Sequence, residues 1–230
     1  MKSAVLSTPS FSASVSCMDL LNLQKQIREC EASEISFFHY DVVDGNFNQC
    51  FMLGDVLLEK MSQATKLPIE VHLAVCHPKQ YIHRFSACGA DYIAVPYESL
   101  ENPFQIFDEI KRCGAEPVLC YRADTPPQND FIDLAKECAW ILKLTVAPGF
   151  SGQKIQSQAI DHIQRMSGLL KQHGLSIPIQ ADGNVNSSTI GTLSRAGAEI
   201  FTGGTSGLFR PGKSVSENLQ TLKHSFQYHW

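Results

Sequence analysis

A histidine and an aspartate stand two residues apart at the end of an apolar run. Ile35, Phe37 and Phe38 precede His39 and Asp41. Alternate side chains of a strand share one face, so the imidazole and the carboxylate are predicted to lie side by side. Such a pair at a strand end can transfer protons or bind a metal ion. For this pair alone, a structural hydrogen bond is the commoner explanation.

Two later apolar runs carry groups of the same kind. One contains His72 and the other ends in Asp182. Taken by itself, His72 would most often be a hydrogen-bonded core histidine. Together with His39 and Asp41, these groups are harder to explain as core residues, because burying polar groups unpaired is costly. Two imidazoles and two carboxylates suit a divalent metal such as zinc, ferrous iron or manganese.

Glycine-rich turns follow the last three apolar runs. They are Pro148-Gly149-Phe150-Ser151-Gly152-Gln153, Asp182-Gly183-Asn184 and Gly203-Gly204-Thr205-Ser206-Gly207. Glycines let backbone amides approach an anion closely. One such turn is usually a plain tight turn, but three in succession predict a phosphate site. The predicted contacts in these turns are Gly149, Phe150, Ser151, Gly152, Gly183, Asn184, Gly204, Thr205 and Ser206.

Apolar runs alternate with segments of helical spacing along the whole chain. The predicted strands are Ser12–Ser16, Ile35–Asp41, Pro68–Leu73, Tyr92–Val95, Pro117–Tyr121, Ile141–Val146, Ile177–Ala181 and Glu199–Gly203. The predicted helices are Leu20–Cys30, Phe51–Thr65, Pro78–Ala87, Pro103–Cys113, Asp130–Glu137, Gln156–His173, Ser187–Ala196 and Ser214–Phe226.

This alternation predicts an α/β fold, a single (β/α)8 TIM barrel over residues 1–230. A doubly wound open sheet is the alternative, although no GxGxxG follows the first strand. In a parallel barrel the carboxyl ends of all strands meet at one rim, which is where catalytic groups lie. The barrel would therefore bring His39, Asp41, His72 and Asp182 together.

Composition narrows the classes of partner and compartment. The chain has 230 residues, 43% of them hydrophobic, and a formal net charge of −4. The absence of a basic stripe argues against nucleic acid or a membrane surface, and no apolar run is long enough to span a membrane. Eight scattered cysteines without a CxxC pair are typical of reduced thiols, and residues 1–16 lack the apolar core of a secretory signal. We expect a soluble, cytoplasmic protein.

The motifs resemble those of the ribulose-phosphate 3-epimerase family over nearly the whole chain. The matching segments are His39–Phe47 (HxDVMDGxF in the family), Val71–Leu73 (DVHLM), Leu144–Gln153 (MTVxPGFGGQ) and Ala181–Gly183 (VDGG). Two more segments, Ser14–Leu21 and Gly204–Phe209, are similar to the allulose-6-phosphate 3-epimerase branch.

The resemblance implies a phosphate-binding barrel with a metal held by His39, Asp41, His72 and Asp182. It also implies that the two aspartates act as acid and base, and that Ser14 and His72 lie beside the substrate. The implied activity is 3-epimerisation of a ketose phosphate, either ribulose 5-phosphate and xylulose 5-phosphate or allulose 6-phosphate and fructose 6-phosphate. The resemblance further implies a homo-oligomer.

Inverting a carbon next to a ketone requires a Lewis acid and two proton-transfer groups. One base removes the weakly acidic proton, a divalent metal stabilises the resulting cis-enediolate, and a second acid returns a proton to the opposite face. One carboxylate must then be ionised while the other is protonated. Asp41 and Asp182, which end non-adjacent strands, suit these two places.

Several residues depart from the family pattern. Val43, Ala74 and Leu144 stand where the family has methionines, and Pro96 stands where it has a histidine; Ser151 and Asn184 replace glycines. These changes leave open which five- or six-carbon ketose phosphate is the substrate.

Two other functions also stay open. Another phosphate-binding barrel, an isomerase or decarboxylase, would lack the metal set, and a non-catalytic sugar-phosphate regulator would have little use for an acid–base pair.

Overall fold

Eight parallel strands close into a barrel in the computed structural model, which describes residues 6–147 and 152–227. The strands are β1 Ser10–Ser14, β2 Phe37–Asp44, β3 Phe51–Met52, β4 Ile69–Ala74, β5 Tyr92–Pro96, β6 Glu116–Tyr121, β7 Ile141–Leu144, β8 Ile179–Asp182 and β9 Ile200–Gly203. The order of the eight parallel strands is β1-β9-β8-β7-β6-β5-β4-β2, and pairing of β1 with β2 closes the ring. The short β3 pairs antiparallel with the end of β2.

Helices cover the outside of the barrel between successive strands. They are α1 Leu23–Glu31, α2 Asp55–Ala64, α3 Ile82–Ala87, α4 Pro103–Arg112, α5 Phe131–Ala135, α6 Ser157–Gln172, α7 Ile190–Ala196 and α8 Val215–Gln227. The start of α4 shows how sequence sets a boundary. The Asn102 side chain accepts a hydrogen bond from the Gln105 amide, and Pro103 occupies the first turn, where its missing N–H is not needed.

Both faces of each barrel strand are buried, and β2 shows the alternation. Phe37 packs inside the barrel against Trp140, whereas Phe38 and Tyr40 pack among the apolar residues beneath the helices. His39 shares the inward face with Phe37 because it is two residues along the strand. A strand buried on both sides needs apolar residues at nearly every position, which is why these strands read as continuous apolar runs.

The prediction of a (β/α)8 barrel is confirmed, but several boundaries were wrong. Helix α2 begins at Asp55 rather than at the predicted Phe51, because Phe51–Met52 returns to pair with Val43 and Asp44. Gly45 makes the turn possible: it has a φ of 78°, and a Cβ there would lie 2.7 Å from the Phe51 ring. Strand β2 consequently runs on to Asp44 instead of ending at Asp41.

The other differences are smaller and fall at element ends. Strand β1 begins at Ser10 and ends at Ser14, because residues 15–17 form a 3-10 turn. The predicted helices from Leu20 and Pro78 each begin as a 3-10 turn, and α7 begins at Ile190 rather than Ser187. Among the described residues, no helix has both the length and the apolar composition needed to cross a bilayer. All eight cysteines are free thiols.

Candidate active site

The structure brings His39, Asp41, His72 and Asp182 together at one rim of the barrel. Strand β2 carries the first two, β4 carries His72 opposite Asp41, and Asp182 is the last residue of β8. The Oδ1 atom of Asp41 lies 2.9 Å from His39 Nε2 and 3.2 Å from His72 Nδ1. Asp182 Oδ2 lies 3.7 Å from the same His39 nitrogen. The convergence that the sequence predicts is therefore present in the fold.

These donors fit a divalent metal ion. His39, Asp41 and His72 each offer one ligand atom, and the three atoms lie within 4.8 Å of one another. Two imidazole nitrogens and a carboxylate oxygen match the preference of zinc and of ferrous iron. Asp182 stands beside the triad and could complete a four-residue set. The residues that the sequence proposes as ligands are thus placed where they could hold one ion.

The pKa values of the two aspartates shift in opposite directions. Burial alone would raise the pKa of Asp41, but the charge of His39 and the hydrogen bonds from His39 and His72 hold it well below its usual range. Burial raises the pKa of Asp182 to about 6; the nearby His39 opposes this and Asp41 adds to it. In the metal-free site, therefore, Asp41 stays ionised while Asp182 holds its proton up to about pH 6.

A cavity of about 240 Å³ opens over these side chains. Its lining includes Asp41, His72 and Asp182, together with Val43, Ala74 and Leu144. The lining also includes all the predicted phosphate contacts that the structure describes, which are Gly152, Gly183, Asn184, Gly204, Thr205 and Ser206. The remaining predicted contacts, Gly149, Phe150 and Ser151, lie outside the described residues.

The turn after β8 is shaped by side chains that bind its carbonyl groups. Gly183 has a φ of 114°, and a Cβ there would lie 2.6 Å from Val146 Cγ2, so only glycine fits. Thr145 Oγ1 donates to the Gly183 carbonyl at 2.5 Å, and Thr189 Oγ1 donates to the Asn184 carbonyl at 2.7 Å. Asn184 has a φ of 49°, a conformation that asparagine tolerates better than most residues. These bonds hold the turn in the wall of the cavity.

Two residues that the sequence analysis missed as site residues contact the predicted set. Ser16 donates to Asp41 Oδ2 at 3.0 Å, and its own oxygen lies 3.0 Å from Ser14 Oγ. Glu70 is fully buried, and its Oε2 lies 2.6 Å from His39 Nδ1. Glu70 had a visible signal, because it is a charged residue in an apolar strand, two positions before His72 and so on the same face. Ser16 had none, since the predicted strand placed it as an ordinary strand residue.

Known proteins are similar to this chain over most of its length. A family model described as the ribulose-phosphate 3 epimerase family matches residues 10–209. The ribulose-phosphate 3-epimerase of Methanocaldococcus jannaschii is 31% identical over 190 residues, which cover 82% of this chain and 80% of that protein. The one of Chlamydia muridarum is 31% identical over 204 residues, covering 87% and 86%. The Bacillus subtilis protein of the same name is 29% identical over 212 residues, covering 89% and 95%.

Solved structures with a similar fold include two mutant tryptophan synthase alpha-subunits from Pyrococcus furiosus. Their TM-scores are 0.64 and 0.66 at 11% and 10% identity, and each match covers 97% of this chain and 100% of the other. At this identity the likeness shows the barrel fold alone. The family match and the curated relatives go further: the chain belongs to the ribulose-phosphate 3-epimerase family and is a carbohydrate-phosphate epimerase, an isomerase.

Proposed function

We propose that the chain is a metal-dependent 3-epimerase of a ketose phosphate that uses Asp41 and Asp182 as its two proton-transfer groups. The observation that carries this proposal is one cavity lined both by residues of the His-Asp-His cluster with a second carboxylate, Asp182, and by glycine-rich turns. The metal would be held by His39, Asp41, His72 and Asp182. When bound, it would supply a Lewis acid for the oxygens next to the reacting carbon.

The two aspartates suit opposite tasks in a single turnover. Asp41, whose pKa is held low, is ionised and can take the proton from the carbon next to the carbonyl. Asp182 can deliver a proton to the planar enediolate from the other side. Strands β2 and β8 are separated in the barrel by β1 and β9, which is compatible with access to opposite faces. The reverse reaction would exchange these roles.

The phosphate of the substrate would lie against the turns after β8 and β9. Gly183, Asn184 and residues 204–206 line the cavity there, with Gly152 from the loop after β7. Backbone amides of such turns bind phosphate without a basic side chain. Ser14, which also lines the cavity, would lie beside the sugar. Assembly into a homo-oligomer stays a prediction from the family resemblance.

Exchange of the substrate's C3 proton with solvent tests the proposal directly. Purified protein loaded with zinc, ferrous iron or manganese is incubated in deuterated water with ribulose 5-phosphate, allulose 6-phosphate, fructose 6-phosphate and the corresponding free ketoses. We expect deuterium at C3 and formation of the epimer with at least one phosphorylated ketose. Free ketoses should react with a much lower kcat/KM. Binding of a ketose phosphate without exchange would instead favour a non-catalytic regulator.

A further inference from the structure

A layer of hydrogen-bonded polar side chains lies inside the barrel beneath the candidate metal ligands. Glu70 on β4 is at its centre and is fully buried. Its Oε2 atom lies 2.6 Å from His39 Nδ1 and accepts from Gln180 Nε2 at 2.9 Å, and its Oε1 accepts from Trp140 Nε1 at 3.0 Å. The interior of such barrels is usually filled by branched apolar residues. A charged residue here needs a specific reason.

The layer continues from Glu70 across the barrel to the opposite strands. Trp140 Nε1 also donates to Gln180 Oε1 at 2.5 Å, so the indole and the amide hold each other as well as the carboxylate. Gln180 Nε2 also donates to Thr202 Oγ1 at 2.9 Å, which in turn accepts from Ser12 Oγ at 3.1 Å. The layer therefore connects β4 with β8, β9 and β1, and with Trp140, the residue before β7.

Glu70 and Asp41 contact opposite nitrogens of the same imidazole. An ionised carboxylate only accepts hydrogen bonds, so a bond to Glu70 requires the proton on His39 Nδ1. That leaves Nε2, 2.9 Å from Asp41 Oδ1, as the nitrogen that faces the ligand cluster. The second histidine is held more weakly: His72 Nε2 has the thiol of Cys120 at 3.4 Å. The two imidazoles are thus supported by partners of very different strength.

We propose that Glu70 is a positioning residue that fixes the tautomer and orientation of His39 for metal binding, and that Trp140 and Gln180 hold Glu70 in place. This inference rests on the proposed metal-dependent function. Histidines that bind metals commonly donate their other ring proton to a carboxylate or carbonyl, and loss of that partner weakens metal affinity about 10–100-fold. Here the partner itself accepts hydrogen bonds from two buried side chains, Trp140 and Gln180.

Two measurements on Glu70→Gln, Trp140→Phe and Ser12→Ala test the proposal. The first is zinc affinity by competition with a chromophoric chelator. We expect the affinity of Glu70→Gln to fall about 10–100-fold and that of Trp140→Phe to fall less. Ser12→Ala, which removes only the outermost bond of the layer, should bind zinc within about twofold of wild type, since His39 keeps its partner. The second is proton NMR of the His39 ring, read in both the metal-free and the zinc-loaded protein.

The NMR measurement separates this inference from the proposed function. We expect a downfield Nδ1 proton that exchanges slowly with solvent in the wild type and is lost in Glu70→Gln. If that proton is absent from the wild type, or if folded Glu70→Gln binds zinc as tightly as wild type, the role of Glu70 is overturned. If Glu70→Gln does not fold, Trp140→Phe decides, and unchanged affinity together with an unchanged His39 resonance overturns the proposal. A wild type that binds no divalent metal contradicts the proposed function, whereas the metal-free spectrum still tests the bond to Glu70.

Discussion

Both oxygens of Asp41 accept contacts from polar side chains, whereas Asp182 lies near two further carboxylates, Asp41 and Glu70, that add to the effect of burial on its pKa. Both histidines contact Asp41 Oδ1 and the Ser16 hydroxyl donates to Oδ2. Burial dominates at Asp182 and raises its pKa to about 6. Two carboxylates in one site with separated pKa values can divide the roles of acid and base. The division can be tested one residue at a time.

Asp182→Asn should keep the shape of the site while removing one proton-transfer group. Asp41 could then still remove a proton from one epimer and return a solvent proton to the same face. In deuterated water we expect this variant to exchange label into one epimer much faster than it interconverts the two. Asp41→Asn should show the opposite preference. Loss of one acid–base group lowers rates by about 10²–10⁴, so the residual exchange remains measurable by NMR.

Metal content must be verified in both variants, because the same carboxylates are proposed ligands. A metal-loaded variant that epimerises as fast as wild type would remove that aspartate from the mechanism. If both variants exchange label into the same epimer, the assignment of the two carboxylates to opposite faces is wrong.

At the level of elements, the neighbouring strands β2 and β4 place two small residues side by side. Val43 and Ala74 are register partners, and both line the cavity. The family resemblance puts methionines at both positions. The side chains in this wall are therefore smaller at two adjacent points, and the cavity is wider there. A pocket difference of one or two methylene groups is worth about 1–3 kcal/mol of discrimination between substrates.

The double variant Val43→Met, Ala74→Met should therefore shift preference toward the smaller substrate. We expect the ratio of kcat/KM for six-carbon over five-carbon ketose phosphates to fall by about tenfold or more. Leu58→Met is a suitable control, because Leu58 is buried on α2 away from the cavity. A wild type that prefers ribulose 5-phosphate at least a hundredfold over every six-carbon substrate would contradict the idea that the smaller side chains widen the cavity for a larger sugar.

Strand β7 supports the connection between β6 and α5 through one buried amine. Lys143 is fully buried, and its Nζ donates to the carbonyls of Arg122 and Thr125. Burial lowers the pKa of Lys143 to about 8 from its model-compound value of 10.5. Between those two pH values the unfolded chain binds a proton that the folded chain lacks. The contribution of Lys143 to the free energy of unfolding therefore rises with pH across this window.

We expect wild type to gain stability relative to Lys143→Met as the pH is raised from about 7.5 to 10. The shift corresponds to a gain on the order of 3 kcal/mol at most. Urea unfolding of both proteins under reducing conditions measures it, and the exposed Lys25→Met serves as the matched control. Parallel pH profiles of stability for wild type and Lys143→Met would show that folding does not lower the pKa of Lys143.

For the whole molecule, the proposed ion would connect distant parts of the sequence. Its ligands come from β2, β4 and β8, and the unfolded chain does not hold them together. A ligand that binds only the folded state at a hundredfold excess over its Kd stabilises by about 2.7 kcal/mol. For a chain of this length that raises Tm by roughly 5–10 °C.

Thermal unfolding with zinc or with chelator measures this effect. His72→Ala should melt at nearly the same temperature under both conditions, even if its metal-free form is less stable. Equal Tm values for the wild type with and without metal would count against a metal site.

The sequence was enough to predict the barrel and the cluster at its rim, for a physical reason. In a parallel barrel every strand end lies at the same rim, so polar groups near the ends of three strands, such as His39, His72 and Asp182, are brought close together. The layer around Glu70 does depend on register, since Trp140 and Gln180 lie 70 and 110 residues away along the chain. The two-residue strand β3 escaped prediction because such a short pairing leaves no periodic pattern.

The division between the cavity wall and the layer beneath it has a consequence for how this enzyme can change over time. Val43 and Ala74 contribute only volume to the wall, so a single substitution there can alter which sugar is accepted and still leave a working catalyst. Glu70, Trp140 and Gln180 form hydrogen bonds with one another, and replacing any one would leave a buried polar partner without a hydrogen bond. New sugar preferences are therefore accessible through stepwise mutation at the wall, whereas the hydrogen-bonded layer beneath it can be inherited almost unaltered.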